Sequence, residues 1–143
     1  MNTNELKFSV ITPVYNAAEF VTRAVESALA QPEVAEVLLV EDNSPDNSLE
    51  ICLKLAQMDK RVRVLRHPDG GNHGAGASRN LGMKNASCDF VAFVDADNFF
   101  MPNRFAKTKD VISSNSDCEG VYEAIGIHIE NEASLKRWQE SNR

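Results

Sequence analysis

Three cysteines, no long apolar run and no surplus of positive charge remove several kinds of protein at once. Cys52, Cys88 and Cys118 are far apart and odd in number, so they make neither a disulfide framework nor a zinc site. A reducing compartment is the simplest inference, with all three thiols expected as small core or near-core residues. No stretch approaches the roughly 20 apolar residues of a membrane span. Met1-Asn2-Thr3-Asn4-Glu5 lacks the charged-then-apolar layout of a signal peptide. A formal charge of -6 argues against nucleic acid or an anionic membrane surface as the main partner. Repeats, low-complexity tracts and dividing linkers are missing too. The expectation is therefore one soluble globular domain over residues 1–143, long enough to bury a core.

What the chain does contain is alternation. Phe8–Thr12 reads as a strand. A helix from Asn16 to Ala30 follows, with Ala17, Phe20, Val21, Ala24, Val25, Ala28 and Leu29 on one stripe and Asn16 as its N-cap. Val37–Val40 is the continuous apolar run of a central parallel strand. A turn over Asp42–Asn47 precedes a helix with Leu49, Cys52, Leu53 and Ala56 on one face. Arg61–Leu65 alternates as a third strand, a glycine-rich loop over Asp69–Gly76 opens a helix ending near Asn85, and Phe90–Val94 is a fourth strand. Pro102 suits a helix first turn, continued by Phe105, Lys109 and Ile112. Gly120–Ile129 reads as another strand and Asn131–Glu140 as a last helix, with Leu135 and Trp138 as core anchors and Lys136 and Arg137 on a solvated face.

Regular strand–helix succession implies an α/β fold: a Rossmann-like, open, mostly parallel sheet with helices on both faces. Ligands of such sheets sit outside the carboxyl ends of the strands. Polar and special residues gather at those ends here: Pro13-Val14-Tyr15-Asn16, Glu41-Asp42-Asn43 and Asp95-Ala96-Asp97-Asn98, with Gly70–Gly76 after the third strand.

Asp95 and Asp97 close an apolar run. Two carboxylates at i, i+2 on extended backbone would face one side and suit a hard divalent cation, which takes carboxylate oxygens together with substrate phosphates. A solvated acidic turn is the plainer reading. Glu41 and Asp42 could accept from a base N–H or ribose hydroxyls, or cap a helix. The loop around Gly74 and Gly76 could bring backbone and a helix N-terminus to a phosphate, but it lacks the Walker lysine and could equally be a flexible loop. Arg79 could reach a diphosphate or form a surface ion pair. Tyr15 could lie against a nucleobase or be partly buried packing. His73 is expected to be exposed and not catalytic.

In order along the chain stand Ser9-Val10-Ile11-Thr12-Pro13-Val14-Tyr15-Asn16, Val40-Glu41-Asp42-Asn43-Ser44-Pro45-Asp46-Asn47-Ser48, Asn72-His73-Gly74-Ala75-Gly76-Ala77-Ser78-Arg79-Asn80 and Phe93-Val94-Asp95-Ala96-Asp97-Asn98. This series closely resembles the nucleotide-binding half of family 2 glycosyltransferases with the GT-A fold, over residues 7 to about 105. The resemblance implies that Pro13, Tyr15 and Asn16 hold the base and ribose of a nucleotide-diphosphate sugar and that Asp42 reads the base or ribose. It also implies that Arg79 approaches the nucleotide, that Asp95 lies near the ribose and that Asp97 ligates the metal, Mn2+ or Mg2+. Glu41, Ser78 and Asn98 depart mildly from the usual Asp, Ala and Asp of the pattern.

The implied activity is inverting, metal-dependent transfer of a sugar to an acceptor hydroxyl in cell-surface polysaccharide biosynthesis. The donor would be a UDP-sugar foremost, with GDP- and TDP-sugars as the other choices, and the acceptor a glycan or lipid-linked molecule. The location would be cytoplasmic, with a peripheral place at the inner membrane face for a longer protein. The family keeps its acceptor site and catalytic base well downstream of Asp-x-Asp, so the chain is expected to be the amino-terminal, donor-binding part of a longer transferase, and no base is named. The alternative is a non-catalytic sugar-nucleotide-binding or interaction module. A dinucleotide-binding oxidoreductase would need Gly-x-Gly-x-x-Gly where this chain has Pro13–Asn16. A phosphoacceptor domain would need its acidic pair after the first strand.

Overall fold

Strand β1, Phe8–Val14, is the centre of the molecule, and every residue in it except Pro13 is buried. The computed structural model describes residues 6–123 and 131–141. Helix α1 (Val21–Leu29), strand β2 (Val34–Glu41), helix α2 (Ser48–Met58), strand β3 (Val62–Arg66), helix α3 (Gly74–Asn85), strand β4 (Phe90–Phe93) and helices α4 (Ala106–Ser114) and α5 (Glu132–Ser141) follow. The four strands are all parallel, in the order β3-β2-β1-β4. The α/β fold expected from the alternation is therefore the one found.

Residues on alternate sides of β1 and β2 feed two cores. Val10, Val14, Val37 and Leu39 pack with Val21, Val25 and Ala28 of α1 and Cys52 and Leu55 of α2. Ile11, Leu38 and Val40 pack on the other face against Leu81 beside α3's buried Gly82. The helices thus cover both faces, which is why β2 needs apolar residues almost without a break.

Several local expectations are corrected. Asn16 does not cap α1: it sits at φ 50°, its neighbours make a turn, and Phe20 takes the N-cap position without a side-chain cap. The later start leaves Phe20 42% exposed rather than on the buried stripe. On α2 the inward face is Ser48, Cys52 and Leu55, while Leu53 is turned to solvent. Pro102 lies in the turn before α4, and Phe105 is its N-cap. Leu135 is exposed, so it is no core anchor. Residues 120–123 form no strand; the rest of the expected strand, the Trp138 side chain and Met1–Glu5 lie outside the described residues. Cys52 is buried, and burial, followed by the charges of Glu41 and Asp46, pushes its thiol up to about 12. Cys88 and Cys118 are half-buried.

At the amino end of the sheet, away from the strand ends that carry the polar motifs, Glu36 closes a buried network. Its carboxylate accepts from Ser9 Oγ (2.7 Å), Ser87 N (2.6 Å), Ser87 Oγ (2.8 Å) and Arg63 Nη1 (2.9 Å). Burial acts to raise its pKa, but these four donors prevail and hold it at about 2, against an ordinary 4.5. A carboxyl depressed on folding contributes stability that is complete above the unfolded value and lost as pH falls toward the folded one. The shift corresponds to roughly 3 kcal/mol, lost between about pH 4.5 and 2. Glu36→Gln is expected to lower stability by about 2 kcal/mol at neutral pH and to flatten that acid limb, as read by urea unfolding at stepped pH.

Candidate functional site

The chain runs from β1 outward to β2 and β3, then returns to place β4 on the other side of β1. Connections therefore diverge between β1 and β4, and a crevice at their carboxyl ends follows from the topology. A cleft of about 290 Å³ opens there. Pro13, Tyr15, Asn16, Asp42, Arg79, Asp95 and Asp97 all line it, together with Val14, Ala17, Phe20, Ala75 and Ala96.

The wall after β1 is fixed by the turn after β2. Asn16 N donates to Ser44 Oγ (3.2 Å), Ala17 N to Ser48 Oγ (2.9 Å) and Ala18 N to Asp46 Oδ2 (3.0 Å). Asp46 also accepts from the Ser48 hydroxyl, the main cause of a carboxyl held below its ordinary range. Asn16 and Asn43 both adopt positive φ, which asparagine tolerates better than most residues. This stitching leaves Tyr15 54% exposed and Phe20 beside it in the cleft, two aromatic faces open to a planar ligand. Phe20 was missed from sequence because its spacing fits the helix stripe. The positive φ of Asn16, which delays the helix, leaves no periodic signal.

The pair at the end of β2 divides. Glu41 is 1% exposed and its oxygens accept from Ser44 N (2.6 Å) and Arg66 Nε (3.0 Å), so this carboxylate serves the fold. Asp42, 2% exposed, accepts from His73 N and Gly74 N at 2.7 Å each, and its carbonyl accepts from Asn72 Nδ2 (2.8 Å). Asp42 is thus a cap for α3, supplied from 31 and 32 residues away, and it holds the glycine-rich loop against the sheet. Gly74 stands at φ +84°, a backbone conformation that side chains resist. The amides of His73 and Gly74, at the start of the segment that could have met a phosphate or been a flexible loop, are accordingly spent on Asp42. His73 points outward to Asp69 (2.9 Å), its ring tilted against that of His67 with centroids 4.3 Å apart.

The acidic residues arrive differently from the extended-strand expectation. β4 stops at Phe93, and Asn98 N donates to Asp95 O (2.9 Å), so Asp95–Asn98 is a turn. Buried Val94 and Ala96 anchor it while Asp95 and Asp97 face the cleft. Downstream, Phe100 N donates to Ser27 Oγ (2.9 Å), Arg104 N to Gln31 Oε1 (3.1 Å), and Phe105 stacks on Phe8 at 4.3 Å. The turn is therefore held from both sides. Across the cleft, the Arg79 guanidinium donates to Asp95 Oδ1.

Two carboxylates make a hard, all-oxygen donor set of the kind that Mg2+ or Mn2+ takes. Among the described residues no group of three or more His, Cys, Asp or Glu could hold a metal. The fit is to a cation completed by ligand oxygens, not to one caged by protein. No helix among the described residues is long and apolar enough to cross a membrane.

The sequence profile described as glycosyl transferase family 2 matches residues 9–132. A glycosyltransferase of Haemophilus influenzae is 34% identical over 108 residues, which are 75% of this chain and 42% of that protein. The succinoglycan biosynthesis protein ExoU of Rhizobium meliloti is 36% identical over 68% of this chain and 28% of its own length. The chain thus spans less than half of these curated relatives. The crystal structure of S. aureus TarS residues 1–349 in complex with UDP-GlcNAc superposes with a TM-score of 0.66 at 27% identity, covering 82% of this chain and 37% of that one.

Proposed function

This chain belongs to glycosyl transferase family 2, and on that premise we propose that its cleft holds a nucleotide-diphosphate sugar for transfer to an acceptor hydroxyl. The observation that carries the reading is the meeting of Tyr15, Arg79, Asp95 and Asp97 in one crevice at the topological switch between β1 and β4. The UDP-GlcNAc in the TarS neighbour supports a UDP-sugar as donor, and the likeness to a succinoglycan biosynthesis protein supports a glycan or lipid-linked acceptor.

Tyr15, with Pro13 and Asn16, receives the base and ribose, offering an open aromatic face. Asp42 contributes by holding the loop that frames the nucleotide, with any remaining acceptor capacity directed to the base or ribose. Asp95 lies at the ribose side and Asp97 is the metal ligand. Arg79 donates to the diphosphate. A divalent cation bound with the diphosphate would act as a Lewis acid, stabilising charge on the leaving group. Attack by the acceptor hydroxyl in line, with inversion, needs a general base from beyond the residues assigned here.

Calorimetric titration with UDP, GDP and TDP, each with and without Mn2+, tests the proposal. One diphosphate, UDP foremost, should bind with measurable heat only when Mn2+ is present. Absence of binding by all three with Mn2+ present contradicts it.

A further inference from the structure

The ion pair across the cleft bears on how a metal is admitted. Arg79 and Asp95, partly exposed at 35% and 47%, both line the crevice and are paired with each other across it. Asp95 and Asp97 carry two negative charges and Arg79 one positive, so the open part of the site has a net charge near -1. One oxygen of Asp95 is already engaged. Asp42 adds little free charge to this space because both of its oxygens accept backbone amides at 2.7 Å. Among the described residues no third carboxylate, histidine or thiol joins the turn to make a metal cluster. A bare divalent ion would therefore meet one free carboxylate, a half-occupied second one and a repelling guanidinium.

We propose that Arg79 is a stand-in cation. Paired with Asp95, it keeps the acidic turn from holding a bare divalent ion, so that metal is taken up only as its complex with the nucleoside diphosphate. The diphosphate supplies the missing oxygen ligands and also gives the guanidinium another anion. Arg79, with five N–H donors, then exchanges the carboxylate for phosphate oxygens and leaves Asp95 free for the donor. The proposal rests on the donor-site reading above and adds an order to it: the metal arrives with the nucleotide, not before it.

The test is an electron paramagnetic resonance titration of the full chain with Mn2+ alone, following loss of the free-ion signal, repeated with UDP, GDP or TDP present. Wild type should take up little bare Mn2+ at concentrations where the diphosphate promotes uptake. Removing the guanidinium's unit charge from beside a divalent ion should raise bare-ion affinity at least about tenfold in Arg79→Gln. Uptake with the diphosphate should weaken in the same variant. Arg79→Lys, which keeps the charge, should hold bare-ion affinity low, and adding Asp95→Asn to Arg79→Gln should cancel the gain. Bare-ion affinity unchanged in Arg79→Gln overturns the inference alone. A wild type that takes no diphosphate even with Mn2+ overturns the donor-site reading and this inference with it.

Discussion

Gly82→Val is expected to lower stability by more than about 3 kcal/mol, enough to leave much of the chain unfolded if its total is typical of small domains. Gly82 is buried on the face of α3 that lies on β1. A Cβ at this position would overlap Ile11 Cγ2 and stand 3.1 Å from Ile11 Cγ1. Ile11 is fully buried between β2 and β4, beside Leu38 and Phe93, so it has nowhere to move. Glycine is ordinarily a poor helix residue, costing about 1 kcal/mol relative to alanine. Here that cost is outweighed by the close approach it permits between helix and sheet. Even Gly82→Ala should therefore be destabilising, by about 2 kcal/mol, against the helix preference. Pairing it with Ile11→Ala should give a destabilisation clearly smaller than the sum of the single changes, because the second substitution vacates the space the first one needs. Urea unfolding of the four proteins in the cycle reads this directly. Additive costs would mean that the two residues do not meet.

The second large effect falls on binding and leaves the fold alone. Asp97→Ala is expected to weaken Mn2+-dependent diphosphate binding by at least about 100-fold, since loss of even an outer partner of a metal ligand costs 10–100-fold. The residual binding should no longer depend on Mn2+. Stability should change by no more than about 0.5 kcal/mol, because Asp97 is exposed on a turn secured by its neighbours, Val94 and Ala96. Calorimetry for binding and urea unfolding for stability separate the two. Unaltered affinity in Asp97→Ala would remove the metal role assigned to that residue.

The fold was legible where a pattern is local. The apolar runs of β1 and β2 and the stripe over Val21–Ala28 state their elements outright, and strand–helix alternation leads to a parallel sheet. The gathering of special residues at strand ends was legible too, because that rule depends only on topology. What escaped depends on contacts between distant residues. Glu36 meets Ser87 across 51 positions, and nothing in either segment announces the pairing. Asp42 looked like part of a turn or a nucleotide reader, whereas its carboxylate caps a helix that begins beyond β3. Leu53 fits an apolar spacing but faces water, since Ser48, Cys52 and Leu55 set the phase of α2 against the sheet. The route by which Asp95 and Asp97 come together also escaped. An i, i+2 spacing describes strand geometry, while the chain leaves the strand two residues earlier and turns.

On the proposed function the acidic turn holds a cation together with a nucleoside diphosphate. Amide NMR spectra of the labelled chain, recorded with UDP and a trace of paramagnetic Mn2+, test it most directly. Broadening should be strongest at Ala96, Asp97 and Asn98, spread to Tyr15 and Arg79, and appear only when the nucleotide is present. Broadening centred on surface carboxylates such as Glu50 or Asp117, the same with and without nucleotide, would contradict it.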